Sequence, residues 1–183
     1  MKHLLSLFLV LILWTGNAWA TLNTYGFTSI LGSYTTYSGG TVLGTVSNNE
    51  QVFNGNTIGA PPPVTGPGFP IGFVFNYNGM DCDVFAVNTN GWIVVGSSSL
   101  MLTIGGSTGN STPISTTGPS GFKNAIVPVG MNLQGQSGSE LSYLLDGVAP
   151  YRVLIIQWRS YRAAGASGEN YNFQIKLFET TSE

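Results

Sequence analysis

The sequence predicts an all-β protein, an antiparallel β-sandwich of the jelly-roll or lectin-like type with about ten strands. Short runs of alternating apolar and polar residues recur along the chain, each bounded by Gly, Asn or Pro, and no helical apolar period replaces them. Charged residues make up only 8% of the chain while aromatic residues make up 12%, a balance that argues against disorder. We therefore expect two packed sheets joined by short links.

The first twenty residues are predicted to be a secretory signal peptide that does not belong to the fold. Lys2-His3 forms a short positive region, residues 4–14 are almost all apolar, and Ala18-Trp19-Ala20 is a small-residue cleavage site. The apolar run is too short to cross a bilayer, so no membrane span is expected after cleavage. The remaining 163 residues suffice for one domain, which we place at residues 21–183.

The predicted strands follow the turn signals in chain order. They lie at 25–36, 41–46, 71–77, 81–87, 92–95, 100–104, 125–129, 140–145, 151–158 and 171–178. Asn78-Gly79 and Asn90-Gly91 predict hairpin turns, because both residue types tolerate positive φ. Prolines between residues 59 and 68 predict an ordered connection outside the sheets, and residues 97–121 read as a long loop region around one strand.

Charge and cysteine content narrow the classes of partner. Without the signal peptide, five basic and eight acidic side chains remain, spread along the chain. Nucleic acids and anionic membranes attract clustered basic residues, so neither is an expected partner. Cys82 is the only cysteine, which excludes an internal disulfide, and its strand-like setting between two aspartates predicts a buried apolar residue.

Four segments taken in order resemble one protein family. They read YGFTSILGSYTTYSGGTVLGT, IGFVFNYNGMDCDVFAVNTNGWIVVG, DGVAPYRVLIIQWRS and NFQIKLFETT. The chain is similar to the N-terminal β-sandwich domain of large secreted and cell-surface proteins of the Bacteroidota. That resemblance implies a multi-modular protein exported as type IX secretion cargo, with further modules of the same polypeptide as partners.

Two features depart from the family pattern. Family members usually carry an acidic segment after the middle strand, but residues 127–133 contain no acid, so a role for such acids is in doubt here. The family also continues into another strand beyond the position of Glu183. We therefore expect the domain to be C-terminally truncated, and either residues 171–178 or the strand that pairs with them to present an unpaired sheet edge.

Composition gives little support for catalysis. The only histidine is His3, which leaves with the signal peptide, so no imidazole remains for a Ser or Cys nucleophile or for zinc. No calcium-loop motif is present, and we predict no metal and no cofactor. Paired carboxylates of the glycosidase type remain as an alternative. The candidate acids are Asp81, Asp83, Glu140, Asp146 and Glu169.

Aromatic residues carry the sharpest functional hypothesis, because sugar-binding sites stack a sugar ring on Trp or Tyr. The candidates are Trp92, Trp158, Tyr151 and Tyr161. Trp92 and Trp158 lie in strands and are expected in the core. Tyr161 lies in a polar run between Arg159 and Arg162 and is the better candidate for exposure. We predict ligand-binding roles for Tyr161, Arg159, Arg162 and Trp92, and the alternative for Tyr161 is an ordinary loop tyrosine.

These observations predict a non-catalytic extracellular β-sandwich module of a secreted or surface-displayed bacterial protein. Its expected activity is adhesion or ligand binding, with an extracellular glycan or a protein surface as partner. One alternative is an accessory or catalytic domain of a secreted polysaccharide-degrading enzyme, which would need two acids about 5–10 Å apart in a cleft. Another is a structural spacer without an exposed aromatic cluster.

Overall fold

The computed structural model describes residues 26, 28–45, 51–56, 65–104 and 124–181. In those residues the chain forms strands and no helix, which confirms the predicted all-β class. The strands are β1 (Thr41–Gly44), β2 (Val52–Phe53), β3 (Thr65–Gly66), β4 (Phe69–Tyr77), β5 (Met80–Asn88), β6 (Trp92–Gly96), β7 (Leu102–Thr103), β8 (Ala125–Ile126), β9 (Leu133–Asp146), β10 (Val153–Ala163) and β11 (Tyr171–Phe178). The predicted signal peptide and most of the two predicted long connections lie outside the described residues.

Two antiparallel sheets form the sandwich. The four-stranded sheet has the order β1-β9-β10-β11, and the five-stranded sheet has the order β2-β5-β6-β8 with β4 also paired to β5. Strands β3 and β7 form a separate two-stranded ribbon. The β4–β5 hairpin turns at Asn78 and Gly79, which both have positive φ, as the sequence predicts.

The main core lies between the two sheets. Phe85 and Val95 of the five-stranded sheet and Leu154 and Trp158 of the four-stranded sheet belong to one buried cluster. Trp158 stacks on Phe173 of the neighbouring strand, with 4.9 Å between ring centroids and 13° between ring planes. Alternate residues of each strand therefore face this core, as the alternating sequence pattern requires.

The opposite face of the five-stranded sheet is also buried at β5 and β6. Trp92 and Val94 of β6 pack there with Leu102 and Ile104, which come from the segment around β7. Every residue of β6 is consequently buried. The five-stranded sheet is thus the middle layer of this part of the molecule, with an apolar cluster on each side.

A buried turn connects β5 to β6. The side-chain oxygen of Asn88 accepts a hydrogen bond from the amide of Asn90 at 2.8 Å, and Asn90 Oδ1 accepts one from the amide of Leu133 at 2.9 Å. Gly91 has φ of +83°, and a Cβ there would lie 3.0 Å from Val129 Cβ. Asn88, Asn90 and Gly91 therefore pack the turn closely against the start of β9.

The first predicted strand is not a strand. Residues 28–38 have no regular secondary structure and lie across the outer face of the four-stranded sheet. The Tyr34 hydroxyl donates to Gln157 Oε1 at 3.0 Å, and Gln174 Nε2 donates to the Thr35 carbonyl at 2.9 Å. The segment forms these hydrogen bonds with side chains of the sheet and not with the backbone of a neighbouring strand. Its alternating pattern therefore does not produce a strand.

Candidate ligand-binding site

The four aromatic candidates differ sharply in exposure. Trp92, Trp158 and Tyr161 are each 0% exposed, whereas Tyr151 is 71% exposed. The prediction that Trp92 and Trp158 are core residues is confirmed. The prediction that Tyr161 is exposed is wrong, and neither Tyr161 nor Trp92 presents a surface to a ligand in this conformation.

A β-bulge in β10 explains the burial of Tyr161. The pairing of β10 with both neighbours shifts between Trp158 and Tyr161, and Ser160 has a φ of +58°. The Ser160 amide donates to Asn172 Oδ1 at 2.9 Å instead of continuing the regular ladder. Because side chains alternate along a strand, one extra residue moves position 161 onto the inner face that Trp158 occupies. Burial also raises the pKa of Tyr161.

Arg159 and Arg162 do not form a platform around Tyr161. Arg159 Nη2 lies 2.9 Å from Glu140 Oε2 in an ion pair on the outer face, while Arg162 Nη1 donates to the Ala166 carbonyl at 2.7 Å. Both guanidinium groups are therefore engaged by neighbouring parts of the fold, and Tyr161 lies on the other side of the sheet. A ligand-binding role for the two arginines stays a prediction.

Tyr151 stands at the turn between β9 and β10. Gly147, with φ of +86°, starts the turn, and the Tyr151 amide donates to the Val148 carbonyl at 2.8 Å. The Ala149–Pro150 peptide bond is cis. This tight turn presents Val148 and Tyr151 to solvent, and both side chains are more than two-thirds exposed. A turn rich in Gly and Pro directly before an aromatic residue is the sequence signal for that exposure.

A cleft of about 260 Å³ lies beside the Tyr151 ring. It is lined by Tyr151, Arg152, Phe178, Thr180 and Thr181. Phe178, the last residue of β11, is itself 39% exposed. The cleft thus combines two exposed aromatic rings, two hydroxyl-bearing side chains and one guanidinium group at the end of the four-stranded sheet.

An ion pair fixes the floor of this cleft. Arg152 Nε donates to Glu179 Oε2 at 2.8 Å and Nη2 donates to Oε1 at 2.5 Å, a bidentate geometry. Arg152 Nη1 reaches across to the Gly72 carbonyl of β4, and its guanidinium lies 5.7 Å from the centroid of the Phe73 ring. The hydrogen bonds with Arg152 lower the pKa of Glu179. Arg152 therefore links Glu179, the residue after β11, to Gly72 of the five-stranded sheet.

The candidate acids are bound to neighbouring groups. Asp83 accepts from the Ser98 amide at 2.6 Å and the Ser98 hydroxyl at 2.5 Å, and these bonds lower its pKa. Glu140 pairs with Arg159. The remaining partners are Asn76 for Asp81, the Gly147 amide for Asp146 and the Ala163 amide for Glu169. In the stretches that the structure describes, no group of three or more His, Cys, Asp or Glu residues could hold a metal ion.

A second depression, of about 300 Å³, lies on the five-stranded sheet. Met80, Leu100 and Met101 are exposed at its rim, and Gly96 and Asn124 lie among its lining residues. Among the residues that the structure describes, no aromatic side chain lines this depression. This depression lacks the exposed ring that distinguishes the Tyr151 cleft.

Comparison with known proteins gives one match. A family model described as NIDO-related matches residues 24–183. No curated protein and no solved structure matches the chain. None of the segments that the structure describes contains a helix long and apolar enough to cross a membrane.

Proposed function

The chain belongs to the NIDO-related family, whose domains are β-rich and typically extracellular, and we propose that it is a non-catalytic ligand-binding module. Its ligand site is the cleft beside Tyr151, and an extracellular glycan is the ligand class that the cleft fits best. The activity would be adhesion, in which the module attaches a larger protein or a cell to a glycan-bearing surface.

The exposure of Tyr151 is the observation that supports this proposal. It is the one aromatic candidate whose ring is available to a ligand, and it borders a cleft instead of standing on a flat surface. Side chains buried in the core cannot reach a ligand without unfolding, so the other three candidates serve the fold. Tyrosine supplies a rigid apolar ring with a polar tip, which suits contact with an amphipathic ligand.

The chemistry of the cleft favours a sugar. A pyranose ring has an apolar face of C–H groups and a rim of hydroxyls, so it needs an aromatic platform beside hydrogen-bonding groups. Tyr151 and Phe178 offer the rings, and Thr180, Thr181 and the Arg152 guanidinium offer polar atoms. The Arg152–Glu179 ion pair holds these elements before binding, which lowers the ordering cost of association.

The carboxylates also support a non-catalytic function. A glycosidase acid works with a raised pKa, because it must be protonated near neutral pH. The hydrogen bonds to Asp83 and Glu179 lower the pKa of each carboxyl. Glu179 is in an ion pair with Arg152, which stabilises its charged form. The enzymatic alternative would need a free acid in the cleft.

A glycan-array screen with a set of variants tests the ligand proposal. We expect the purified chain to bind a subset of glycans, Tyr151→Ala to lose that binding, and Tyr151→Phe to retain most of it because the ring remains. Leu100→Ala, which removes an equally exposed apolar side chain from the other depression, is the matched control and should bind normally.

Arg159→Ala distinguishes a ligand site at Tyr151 from the site that the sequence predicts around Tyr161, Arg159 and Arg162. Loss of binding on Arg159→Ala but not on Tyr151→Ala, at equal folded fraction, would place the site on the outer face instead. Absence of any glycan binding would contradict the glycan assignment and leave a protein surface as the ligand class.

We further propose that the module is exported and belongs to a multi-modular surface protein of the Bacteroidota type, with type IX secretion. The signal-like N-terminus and the segment order quoted above support this proposal. Expression in a Gram-negative host followed by intact-mass measurement of the exported protein tests the first step. The expected mature N-terminus is Thr21, and an unprocessed Met1 would contradict the prediction.

A further inference from the structure

Strand β11 forms one edge of the four-stranded sheet. It pairs with β10 from Val153↔Phe178 to Trp158↔Phe173 in an uninterrupted register. Within the described ranges, no strand pairs with its other side. An edge strand of this kind presents a row of backbone amides and carbonyls that can accept another strand.

The other sheet edges carry features that discourage such pairing. Strand β1 has four residues and a register shift between Val42 and Gly44, and β8 has two residues. Strand β4 contains Pro70 and a register shift before Phe75. Proline, bulges and short length are the usual protections of an edge. β11 has eight residues, no proline or glycine, and a single charge at Lys176.

We propose that β11 pairs with β11 of a second copy of this chain. The two strands run antiparallel across a two-fold axis, and the two four-stranded sheets join into one continuous sheet of eight strands. This dimer does not depend on the proposed ligand, and it would stand if the cleft bound nothing.

The side-chain pattern of β11 is self-complementary. Opposite residues of an antiparallel pair share a sheet face, so in a two-fold pair one residue lies opposite its own copy and the axis passes between the two. Two registers are available, one centred on Gln174 and one on Ile175. With Gln174 on the axis, Lys176 faces Asn172 of the second copy. With Ile175 on the axis, Lys176 faces Gln174 of the second copy. In both registers the single cation meets an amide and not the other lysine, and like charges directly opposite would be destabilising.

The apolar positions agree with the same pairing. Phe173, Ile175 and Leu177 alternate on the inner face and belong to or pack against the main core. With Gln174 central, Phe173 meets Ile175 and Leu177 meets Tyr171. With Ile175 central, Phe173 meets Leu177, so in both registers apolar residues of the inner face lie opposite one another. A second copy supplies this same alternation and keeps the two lysines apart in either register, which is why a second copy is the occupant we propose.

The expected dimer is reversible. Pairing of two eight-residue edges lies at the small end of specific interfaces, so the association should depend on concentration in the measurable range. If the ligand proposal also holds, the two Tyr151 clefts would lie near opposite ends of the joined strands, roughly 35–40 Å apart along them. A dimer would then bind a repeating glycan at two points, with a gain in avidity.

Sedimentation velocity over a concentration series tests the dimer, with three substitutions at one position. Gln174→Lys places a lysine opposite another lysine in both registers, so the dimer dissociation constant should rise about tenfold at low salt. Gln174→Ala removes the hydrogen bonds of Gln174 to Thr35 and Gln157 without adding charge and should dimerise nearly as the parent does. Gln174→Glu should weaken the Gln174-centred dimer and strengthen the Ile175-centred one.

Hydrogen exchange provides a second readout that needs no variant. Amides of β11 that point away from β10 should exchange faster on dilution, while amides of β6 should not change. A chain that remains monomeric at every concentration would overturn the proposal. Equal weakening by Gln174→Lys and Gln174→Ala would also overturn it, because the effect would then come from lost hydrogen bonds and not from charge at the axis.

Discussion

The two sheets of the sandwich differ in what covers their outer faces. The five-stranded sheet has the main core on one side and the Trp92 cluster on the other. The four-stranded sheet packs an apolar core against its inner face only, and residues 28–38 lie across part of its outer face. Its outer face carries a polar network in which the Tyr37 hydroxyl donates to Ser142 Oγ at 3.2 Å and the Ser142 hydroxyl donates to Glu140 Oε1 at 3.0 Å. Burial raises the pKa of Tyr37 to about 12.

This difference separates structural residues from residues that can meet a partner. Where the five-stranded sheet has an apolar cluster on each side, as at β6, it has no side chains left for recognition, although β4 still exposes Val74. The four-stranded sheet has a polar outer face, an edge and its turns. The Tyr151 cleft, the free edge of β11 and the Arg159–Glu140 pair all belong to the four-stranded sheet. The proposed functions therefore concentrate there for a geometric reason.

The largest expected effect concerns the doubly buried sheet. Replacing Trp92 by Ala removes a fully buried indole from the second cluster, and a large-to-small change of this kind costs about 3–5 kcal/mol of unfolding free energy. Urea denaturation followed by circular dichroism measures it. A loss below about 1 kcal/mol would mean that the cluster around Trp92 is not a packed core.

A substitution at Tyr161, in the four-stranded sheet, is expected to change the unfolding free energy in the opposite direction. Its ring is fully buried, and its hydroxyl is a buried atom with no hydrogen-bond partner in the structure. Because an unsatisfied buried polar group costs about 1–3 kcal/mol, Tyr161→Phe should increase the unfolding free energy by about 1 kcal/mol. Thermal and urea unfolding measure the change. A clear decrease in stability would show that the hydroxyl has a partner and that the bulge is arranged differently.

A smaller effect concerns the ion pair below the cleft. The pKa of Glu179 is lowered by Arg152, so this carboxylate stabilises the fold above its ordinary pKa of 4.5 and the contribution is lost as pH falls through the lower folded-state value. Glu179→Gln should therefore reduce the melting temperature at pH 7, and the difference from the parent should shrink toward pH 3. A difference that stays constant over that range would contradict the pairing.

The sequence predicted the local features of this fold better than the distant ones. Alternation in β6 assigned Trp92 and Val94 to one face and Ile93 and Val95 to the other, and both clusters follow that assignment. The pattern could not show that both faces are buried, because the second cover comes from Leu102 and Ile104, supplied from outside the strand.

The candidate site was predicted only in part. Tyr151 was among the aromatic candidates, and its turn residues were visible in the sequence. The exposure of Tyr161 was predicted wrongly because one bulged residue moves every later side chain of the strand to the opposite face. Nothing in Arg-Ser-Tyr-Arg identifies Ser160 as the bulged residue. The lining contributed by Phe178 and Thr180 depends on the pairing of β10 with β11, which links positions about thirty residues apart.

One paired measurement tests most directly whether recognition belongs to the four-stranded sheet and stability to the Trp92 cluster. Tyr151→Ala and Trp92→Ala are compared for unfolding free energy and for binding on the glycan array. We predict that Tyr151→Ala abolishes binding while changing stability by less than about 0.5 kcal/mol, since its ring is exposed. Trp92→Ala should lose stability but keep the binding pattern in its folded fraction. Binding that survives Tyr151→Ala, or that is lost in folded Trp92→Ala, would contradict the assignment of recognition to the four-stranded sheet.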